Sequence, residues 1–237
     1  MIVSAHQPHY LPWCGYINKM LLSDKFVVMD NMHFTSYHYL NRNRIIQNDR
    51  ILKLSLPVKN KNKSSLLIKD VELDYSHSYR GCKKHMKSII HNYSKCKGFD
   101  EFFPLLQGVM KYKHKWLLDI DFAIINLIKD YLNINTETYL ASELDIRGKK
   151  EDELFLSLLE RTSSSHILLG LGASLNYINT DKIVKNGGNI VYQKFDHPVY
   201  SQNSEDFIKG VSIIDLLLNN TREKSINLIN ASGSIEK

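Results

Sequence analysis

The first thirty residues have the order strand, loop, helix, strand, and this order restricts the folds open to the rest of the chain. Residues 1–5 are apolar and predict a buried strand, and residues 15–22 predict a short amphipathic helix. Residues 26–30 predict a second apolar strand that ends in an acidic residue. Two strands joined so closely through a helix form a βαβ unit, which favours parallel pairing with a right-handed crossover.

The loop between the first strand and the helix, residues 6–16, is rich in side chains of types that are common in binding sites. It contains two histidines, a glutamine, two tyrosines, a tryptophan and two prolines. The prolines fix φ and remove two backbone donors, so the loop is stiff. Stiffness lowers the entropy cost of positioning side chains, as a binding or catalytic loop requires. The alternative is a proline-rich surface turn whose aromatic rings fill the core.

Polar residues follow both predicted strands. Parallel strands end at the same edge of a sheet, and ligands of open α/β sheets bind beyond that edge, so residues 6–13 and 30–34 should share one rim. Asn41-Arg42-Asn43-Arg44 adds two bidentate forks suited to carboxylate or phosphate, and two amides. The alternative for these four residues is a solvated turn with two surface arginines.

The rest of the chain predicts more strands on either side of a helical middle segment. Strands are predicted at 51–58, at 66–73 as a possible pair, and at 136–140, 166–170 and 189–195. Helices are predicted at 79–93, from 99 onward, and at 116–132, 149–162, 179–185 and 211–218. Residues 48–49 predict a turn, and the tail 231–237 is expected to fray.

We therefore expect an α/β fold with a mostly parallel sheet, a Rossmann-like βαβ start and a helical middle segment. No internal repeat or low-complexity linker divides the chain, so one domain is expected over 1–237, with a helical insert at about 77–133. A second cluster with the His-Pro-aromatic-Gln composition of the first loop follows the predicted strand 189–195. It is His197-Pro198-Val199-Tyr200-Ser201-Gln202. Residues 170–174 resemble a phosphate-binding turn in outline, without the full fingerprint.

Composition limits the classes of partner. The net charge is +6, but the basic residues are spread along the chain, without a long basic stripe or an aromatic RNA-binding pattern. A site for an anionic small molecule accounts for this charge equally well, and no nucleic-acid partner is expected. No apolar run is long enough to span a bilayer, and no signal peptide or membrane insertion is expected. Three cysteines without a Cys-x-x-Cys pair predict a cytoplasmic protein, and no metal site has credible ligand spacing.

One long motif carries a resemblance to a known family. It reads His6-Gln7-Pro8-x-Tyr10-Leu11-Pro12-Trp13-x-Gly15-Tyr16-x-x-Lys19, and it continues into Ser23-Asp24, Phe26-Val27, Asp30 and Asn41-Arg42-Asn43-Arg44. Three later segments belong to the same pattern: Leu168 to Tyr177, His197-Pro198-Val199-Tyr200-x-Gln202 and Ser212 to Leu217. With them, the sequence resembles the WbqC-like family over nearly the whole chain. The chain departs from the family pattern at Asn31, where a second acid is usual, at His33, where glutamine is usual, and in the turn 169–174.

The resemblance implies an enzyme of bacterial surface-polysaccharide gene clusters, such as those for O-antigen and capsule. It implies transfer of a glycyl, other aminoacyl or acyl group to a nucleotide-linked amino sugar, with an amino-acid or acyl donor as the second substrate. The cofactor is left open between ATP with magnesium and an acyl-CoA donor.

Amide formation on an amino sugar needs a base and groups that hold the two substrates. Histidine titrates near neutrality, so His6 or His9 is the candidate base, and Asp30 is the third predicted catalytic residue. Cationic and amide donors suit a diphosphate, and aromatic rings suit a base or a pyranose face. The predicted substrate-binding residues are Gln7, Tyr10, Trp13, Tyr16, Asn41, Arg42, Asn43, Arg44, His197, Tyr200 and Gln202.

Three other hypotheses stay open. Cys14 could act as a nucleophile. Residues 11–16 lie where nucleotidylyltransferase-like folds carry a histidine signature, which suggests an ATP-dependent adenylate-forming enzyme, although Trp13 and Tyr16 replace the histidines. The third hypothesis is a non-catalytic protein that binds a sugar nucleotide.

Overall fold

A mostly parallel six-stranded sheet forms the centre of the fold. The computed structural model describes residues 1–35, 39–59, 65–76, 78–146, 151–171 and 180–236. The strands in this part of the chain are β1 (Ile2–His6), β2 (Lys25–Val28), β3 (Arg42–Gln47), β4 (Arg50–Ser55), β5 (Glu137–Leu140), β6 (His166–Gly170), β7 (Asn189–Phe195) and β8 (Gly233–Glu236). The sheet has the order β5-β2-β1-β6-β7-β8, in which every pair is parallel except β7 with β8. The predicted fold class is confirmed.

Helices cover both faces of this sheet. They are α1 (Cys14–Leu21), α2 (Ser78–Tyr93), α3 (Phe99–Lys111), α4 (Leu117–Tyr131), α5 (Glu151–Arg161), α6 (Thr180–Lys185), α7 (Ile213–Asn219) and α8 (Arg222–Asn230). The helical middle segment predicted from apolar periodicity is α2 to α4. Residues 149–150, 172–177 and 179 of the sequence predictions lie outside the described residues. No helix in the described ranges is long and apolar enough to cross a bilayer.

The βαβ start forms because its apolar residues alternate between the two faces of the sheet. β1 and β2 are parallel, with Val3 opposite Lys25 and His6 opposite Val28. Val3 and Val27 face a smaller core with residues of α5 and α6, whereas Phe26 faces the larger core with residues of α1 to α4 and α7. Alternation of this kind buries both faces of a parallel strand.

The sheet has a topological switch point beside β1. In this sheet β2 and β5 lie on one side of β1, and β6 and β7 lie on the other side. Within the described strands, β1 pairs with β6 at Ile2↔His166 and Val3↔Ile167 and no further. The two strands therefore separate toward their carboxyl ends, which is where open α/β sheets bind ligands.

Three local predictions are wrong. Residues 66–73 form no regular strand pair. Ile68–Asp70 is a 3-10 turn, and Leu67, Glu72 and Leu73 make only isolated antiparallel bridges, with His33, Trp116 and Val58. The tail does not fray over 233–236, because β8 pairs with β7. The solvated-turn alternative for residues 41–44 fails, since Arg42 begins β3, which forms a hairpin with β4 through the predicted turn at 48–49.

Gly98 is required by the close approach of α3 and α7. Its amide donates to the carbonyl of Leu218 at 2.9 Å, and an added Cβ would overlap the carbonyl oxygens of Leu217 and Asn220. Backbone atoms cannot rotate away, so Gly98→Ala should lower the free energy of unfolding by about 1–3 kcal/mol, as at other overpacked sites. Gly108→Ala in α3 is the control: its Cβ would meet nothing within 4 Å, so it should raise stability by about 0.5–1 kcal/mol. Urea denaturation measures both variants, and equal effects would contradict the packing argument.

Candidate functional site

A cavity of about 580 Å³ opens at the carboxyl end of β1. Sites for small molecules usually enclose 300–1,000 Å³ and lie at a switch point in α/β sheets. The described residues that line it are His6, Gln7, His9, Trp13, Tyr39, Arg44 and Gly210. Three separate parts of the chain therefore contribute: the first loop, the start of the β3–β4 hairpin, and the segment before α7.

The first loop is held against the hairpin by backbone and amide hydrogen bonds. The amide of Tyr10 donates to the carbonyl of Tyr39 at 3.0 Å, and Asn43 Nδ2 donates to the carbonyls of Tyr10 at 3.2 Å and Leu11 at 2.5 Å. Leu11 is buried with φ of 49°, a left-handed conformation that is uncommon for a bulky residue. Asn43 thus stabilises a strained turn that fixes the shape of the cavity wall, and its side chain is outside the lining.

His6 and His9 form an aromatic cluster on this wall. Their rings meet edge to face at 4.6 Å between centroids, and the ring of Tyr16 lies 4.9 Å from that of His6 and 5.2 Å from that of His9. His6 Nδ1 lies 3.0 Å from the carbonyl oxygen of Gln7, which can only accept. Nδ1 therefore carries the proton of the neutral ring and Nε2 carries the lone pair, so His6 can take up a proton at Nε2.

Arg44 supplies the positive charge of the cavity. Among the described lining residues it is the only arginine or lysine. Its guanidinium donates to the hydroxyl of Tyr39 and lies 5.6 Å from the centre of that ring. Its Nε is buried and has no hydrogen-bond partner within the described residues. A buried donor without an acceptor is costly, so this side of the cavity is suited to a phosphate or carboxylate oxygen.

Trp13 supplies an aromatic surface near the end of the first loop, whereas His6 lies at its start. Its indole packs edge to face against Phe195 at 5.3 Å and covers Gly15, where a Cβ would overlap the ring. Glycine is therefore needed at position 15 for Trp13 to keep this orientation. A fixed indole at the cavity wall can stack on a nucleobase or a sugar ring.

His197 holds Gly210, one residue of the cavity lining, in place. Its Nδ1 donates to the carbonyl of Pro198 at 3.1 Å, and its Nε2 accepts from the amide of Gly210 at 3.4 Å. Burial lowers the pKa of His197, and both nitrogens are engaged, so the ring is neutral and is not a candidate base. It positions Gly210, whose φ of 74° brings the backbone to the cavity wall.

Several predicted site residues lie outside the described lining and make structural contacts. The carboxylate of Asp30 accepts from the amide and hydroxyl of Ser142, at 2.9 and 2.6 Å, and so joins the end of β2 to the segment after β5. The hydroxyl of Tyr10 is bonded to His85 Nδ1 at 2.8 Å in the core. The segment 30–34 is likewise absent from the described lining. Of the predicted catalytic residues, the cavity brings together His6 and His9 but not Asp30.

Four further predicted substrate-binding residues also lie outside the described lining and make structural contacts. Asn41 donates to the carbonyl of Leu56 at 2.8 Å, and Arg42 Nε donates to Asn41 Oδ1 at 3.4 Å. Tyr200 and Gln202 bind the buried carboxylate of Asp215, at 2.8 and 3.0 Å. These side chains hold the hairpin and the segment after β7, and none of them borders the cavity.

Burial argues against Cys14 as a nucleophile. The side chain is fully buried in the core, and burial together with the charge of Asp215 raises the pKa of its thiol well above the usual range. The reactive form of cysteine is the thiolate, which such surroundings disfavour. Among the described residues no group of three or more His, Cys, Asp or Glu side chains could hold a metal ion.

Two lining residues, Tyr39 and Gly210, were not predicted. Tyr39 lies shortly before the two arginines, and an aromatic residue beside arginines is a signal for a cation–π pair that could have found it. Gly210 has no local signal beyond being a glycine before a helix, since its place in the cavity lining depends on the tertiary fold.

Fold and cavity define an α/β protein with a cavity of small-molecule size at the switch point of a mostly parallel sheet. The model of the WbqC-like protein family matches residues 7–226, and the chain belongs to this family. It is similar to the uncharacterized protein Rv1507c of Mycobacterium tuberculosis, with 26% identity over 221 residues that cover 92% of this chain and 93% of that protein. The family match includes every described lining residue except His6.

Proposed function

We propose that the protein transfers an acyl or aminoacyl group to the amine of a nucleotide-linked amino sugar. The observation that carries the proposal is the presence of His6 and Arg44 in one cavity, which provides a base and an anion-binding group for one ligand. The cavity volume of about 580 Å³ suits a nucleotide-sized molecule. Membership of the WbqC-like family is consistent with this class of substrate.

The proposed reaction is attack of the amine on the carbonyl carbon of an activated donor. A bond forms between the amine nitrogen and the carbonyl carbon, and the bond from this carbon to the leaving group breaks. The amine proton passes to His6 Nε2, which carries the lone pair because Nδ1 donates to the carbonyl of Gln7. Arg44 holds the anionic part of the sugar nucleotide, and Trp13 stacks on one of its rings.

A thermal-shift screen tests ligand binding, with Arg44→Gln as the variant and Arg42→Gln as the matched control in the same strand. At about 100 times its dissociation constant, an amino-sugar nucleotide should stabilise the protein by ~2.7 kcal/mol. Because hydrogen bonds to charged groups contribute ~1.5–3 kcal/mol, Arg44→Gln should weaken binding by about 10–100-fold. Arg42→Gln should bind normally, since Arg42 lies outside the lining. No shift with any amino-sugar nucleotide would contradict the proposal.

Turnover separates the proposed enzyme from the other hypotheses. His6→Gln should bind the sugar nucleotide normally and lose about 10²–10⁴-fold in rate, the usual contribution of a general base. A thermal shift with ATP and magnesium alone would favour the adenylate-forming alternative. Binding of sugar nucleotides without turnover in the presence of acyl-CoA, or of amino acids with ATP, would favour a non-catalytic binding protein.

A further inference from the structure

Lys19 is a partly buried cation that the proposed reaction does not use. It lies in α1, and its ammonium donates to the carbonyl of Ala5 at 3.2 Å. Within the described residues it has no carboxylate partner, although a charge that loses part of its hydration without a counter-charge is destabilising. Burial lowers the pKa of Lys19 to about 8, so the amine is still mostly protonated at pH 7.

The direction of the Ala5 carbonyl places this ammonium in the sheet. The carbonyls of Ile2 and His6 accept from backbone amides at the two ends of β2, at 2.9 and 2.8 Å. Successive carbonyls of a strand point to opposite sides, so the carbonyl of Ala5 faces β6. Since β1 and β6 stop pairing after Val3, Lys19 takes the place that a donor from β6 would otherwise fill. Its ammonium therefore stands in the opening between β1 and β6.

This opening lies next to a residue of the candidate site, although Lys19 itself is not among the described lining residues. The carbonyl that Lys19 contacts belongs to the peptide bond between Ala5 and His6, and His6 lines the cavity. The ammonium uses one donor for this carbonyl and has two more. A neutral donor would satisfy the carbonyl equally well, so an unpaired positive charge points to an anion that is part of the ligand.

We propose that Lys19 forms a second anion subsite, which binds a phosphate group of the same ligand that Arg44 holds. The identity of this ligand as a sugar nucleotide depends on the proposed function, but the subsite itself requires only a phosphate. Two cations from different elements, one in α1 and one in β3, would then bind one diphosphate from two directions.

Inorganic pyrophosphate is the probe, and isothermal titration calorimetry is the measurement. Lys19→Met should weaken pyrophosphate binding at least tenfold, and Lys19→Arg should retain most of it. Lys25→Met is the matched control, because Lys25 also donates to a backbone carbonyl, that of Thr162, at 2.7 Å but lies at the opposite end of the sheet. Lys25→Met should bind pyrophosphate like the wild type.

Each outcome decides the proposal. Absence of pyrophosphate binding by the wild type, wild-type binding by folded Lys19→Met, or an equal loss in Lys25→Met would overturn it. If Lys19→Met does not fold, Lys19→Gln, which keeps a donor but no charge, serves in its place and should also lose at least tenfold. Pyrophosphate binding that depends on Lys19 without any turnover would refute the proposed function and leave the subsite intact. Turnover, together with an affinity of Lys19→Met for the sugar nucleotide equal to that of the wild type, would refute the subsite and leave the proposed function intact.

Discussion

Replacing Asp215 with alanine should lower the free energy of unfolding by about 3–5 kcal/mol. The Asp215 carboxylate is fully buried in α7 and accepts from the hydroxyls of Tyr93 at 2.6 Å and Tyr200 at 2.8 Å, and from Gln202 Nε2 at 3.0 Å. Alanine would leave these donors without their acceptor, and a buried unsatisfied group costs ~1–3 kcal/mol. Burial raises the pKa of Asp215, while the three hydrogen bonds stabilise the ionised form and oppose that rise.

Asp215→Ala should also weaken ligand binding, because Asp215 connects the segments that surround the cavity. The hydroxyl of Tyr93 accepts from the amide of Ile46 in β3 at 3.1 Å, two residues after Arg44. Tyr200 belongs to the segment after β7 that also carries His197, the residue bonded to Gly210. Loss of the carboxylate would therefore release both the strand that carries Arg44 and the segment that supports the cavity.

Urea denaturation and a ligand titration on the same variants measure these two effects. Tyr93→Phe and Tyr200→Phe each remove one hydrogen bond to Asp215 and should cost about 1.5–3 kcal/mol. Asp206→Ala, which changes an exposed acid near the same segment, should stay within about 0.5 kcal/mol of the wild type. An effect of Asp215→Ala no larger than that of Asp206→Ala would show that the network contributes little.

The βαβ start was predictable because its signals are local. Apolar alternation in residues 1–5 and 26–30, with two prolines and a glycine between them, is enough to define strand, loop, helix and strand. The same local order placed the first loop at the carboxyl end of β1, where the cavity lies. Four of the seven described lining residues come from this loop, so the densest sequence motif also provides most of the candidate site.

The rest of the site depends on contacts between distant parts of the chain. Residues 41–44 appeared as one polar cluster, but in a strand successive side chains point to opposite sides. Asn43 therefore faces the first loop while Arg44 reaches the cavity. Asp30 is predicted as a catalytic residue, and in the structure its carboxylate accepts from Ser142, which is 112 residues away in the sequence. No periodicity in the sequence reports such pairings, and the pairing of β8 with β7 was missed for the same reason.

Asp121→Asn should make the protein more stable than the wild type at pH 7–8 and should remove a pH dependence. Asp121 lies in α4 with none of its surface exposed, and neither carboxylate oxygen has a hydrogen-bond partner within the described residues. Burial raises the pKa of this carboxyl well above its usual range. Between the unfolded and folded pKa values the native state holds the proton that the unfolded chain has lost. Stability therefore falls as the pH rises through this window, by up to about 1.4 kcal/mol per pH unit.

Asparagine has nearly the same shape as aspartate and does not ionise, so the stability of the variant relative to the wild type should increase steadily from pH 5 to 8. Urea denaturation at several pH values measures the difference, in which titration of other groups cancels. The groups that face Asp121 are the hydroxyls of Tyr10 and Tyr16, whose pKa values burial also raises, so they stay neutral in this range. Asp130→Asn, at an exposed position of α4, should show no such trend. A constant loss of stability in Asp121→Asn at every pH would mean that the carboxylate is ionised and bound to a partner, which would contradict a neutral acid in the core.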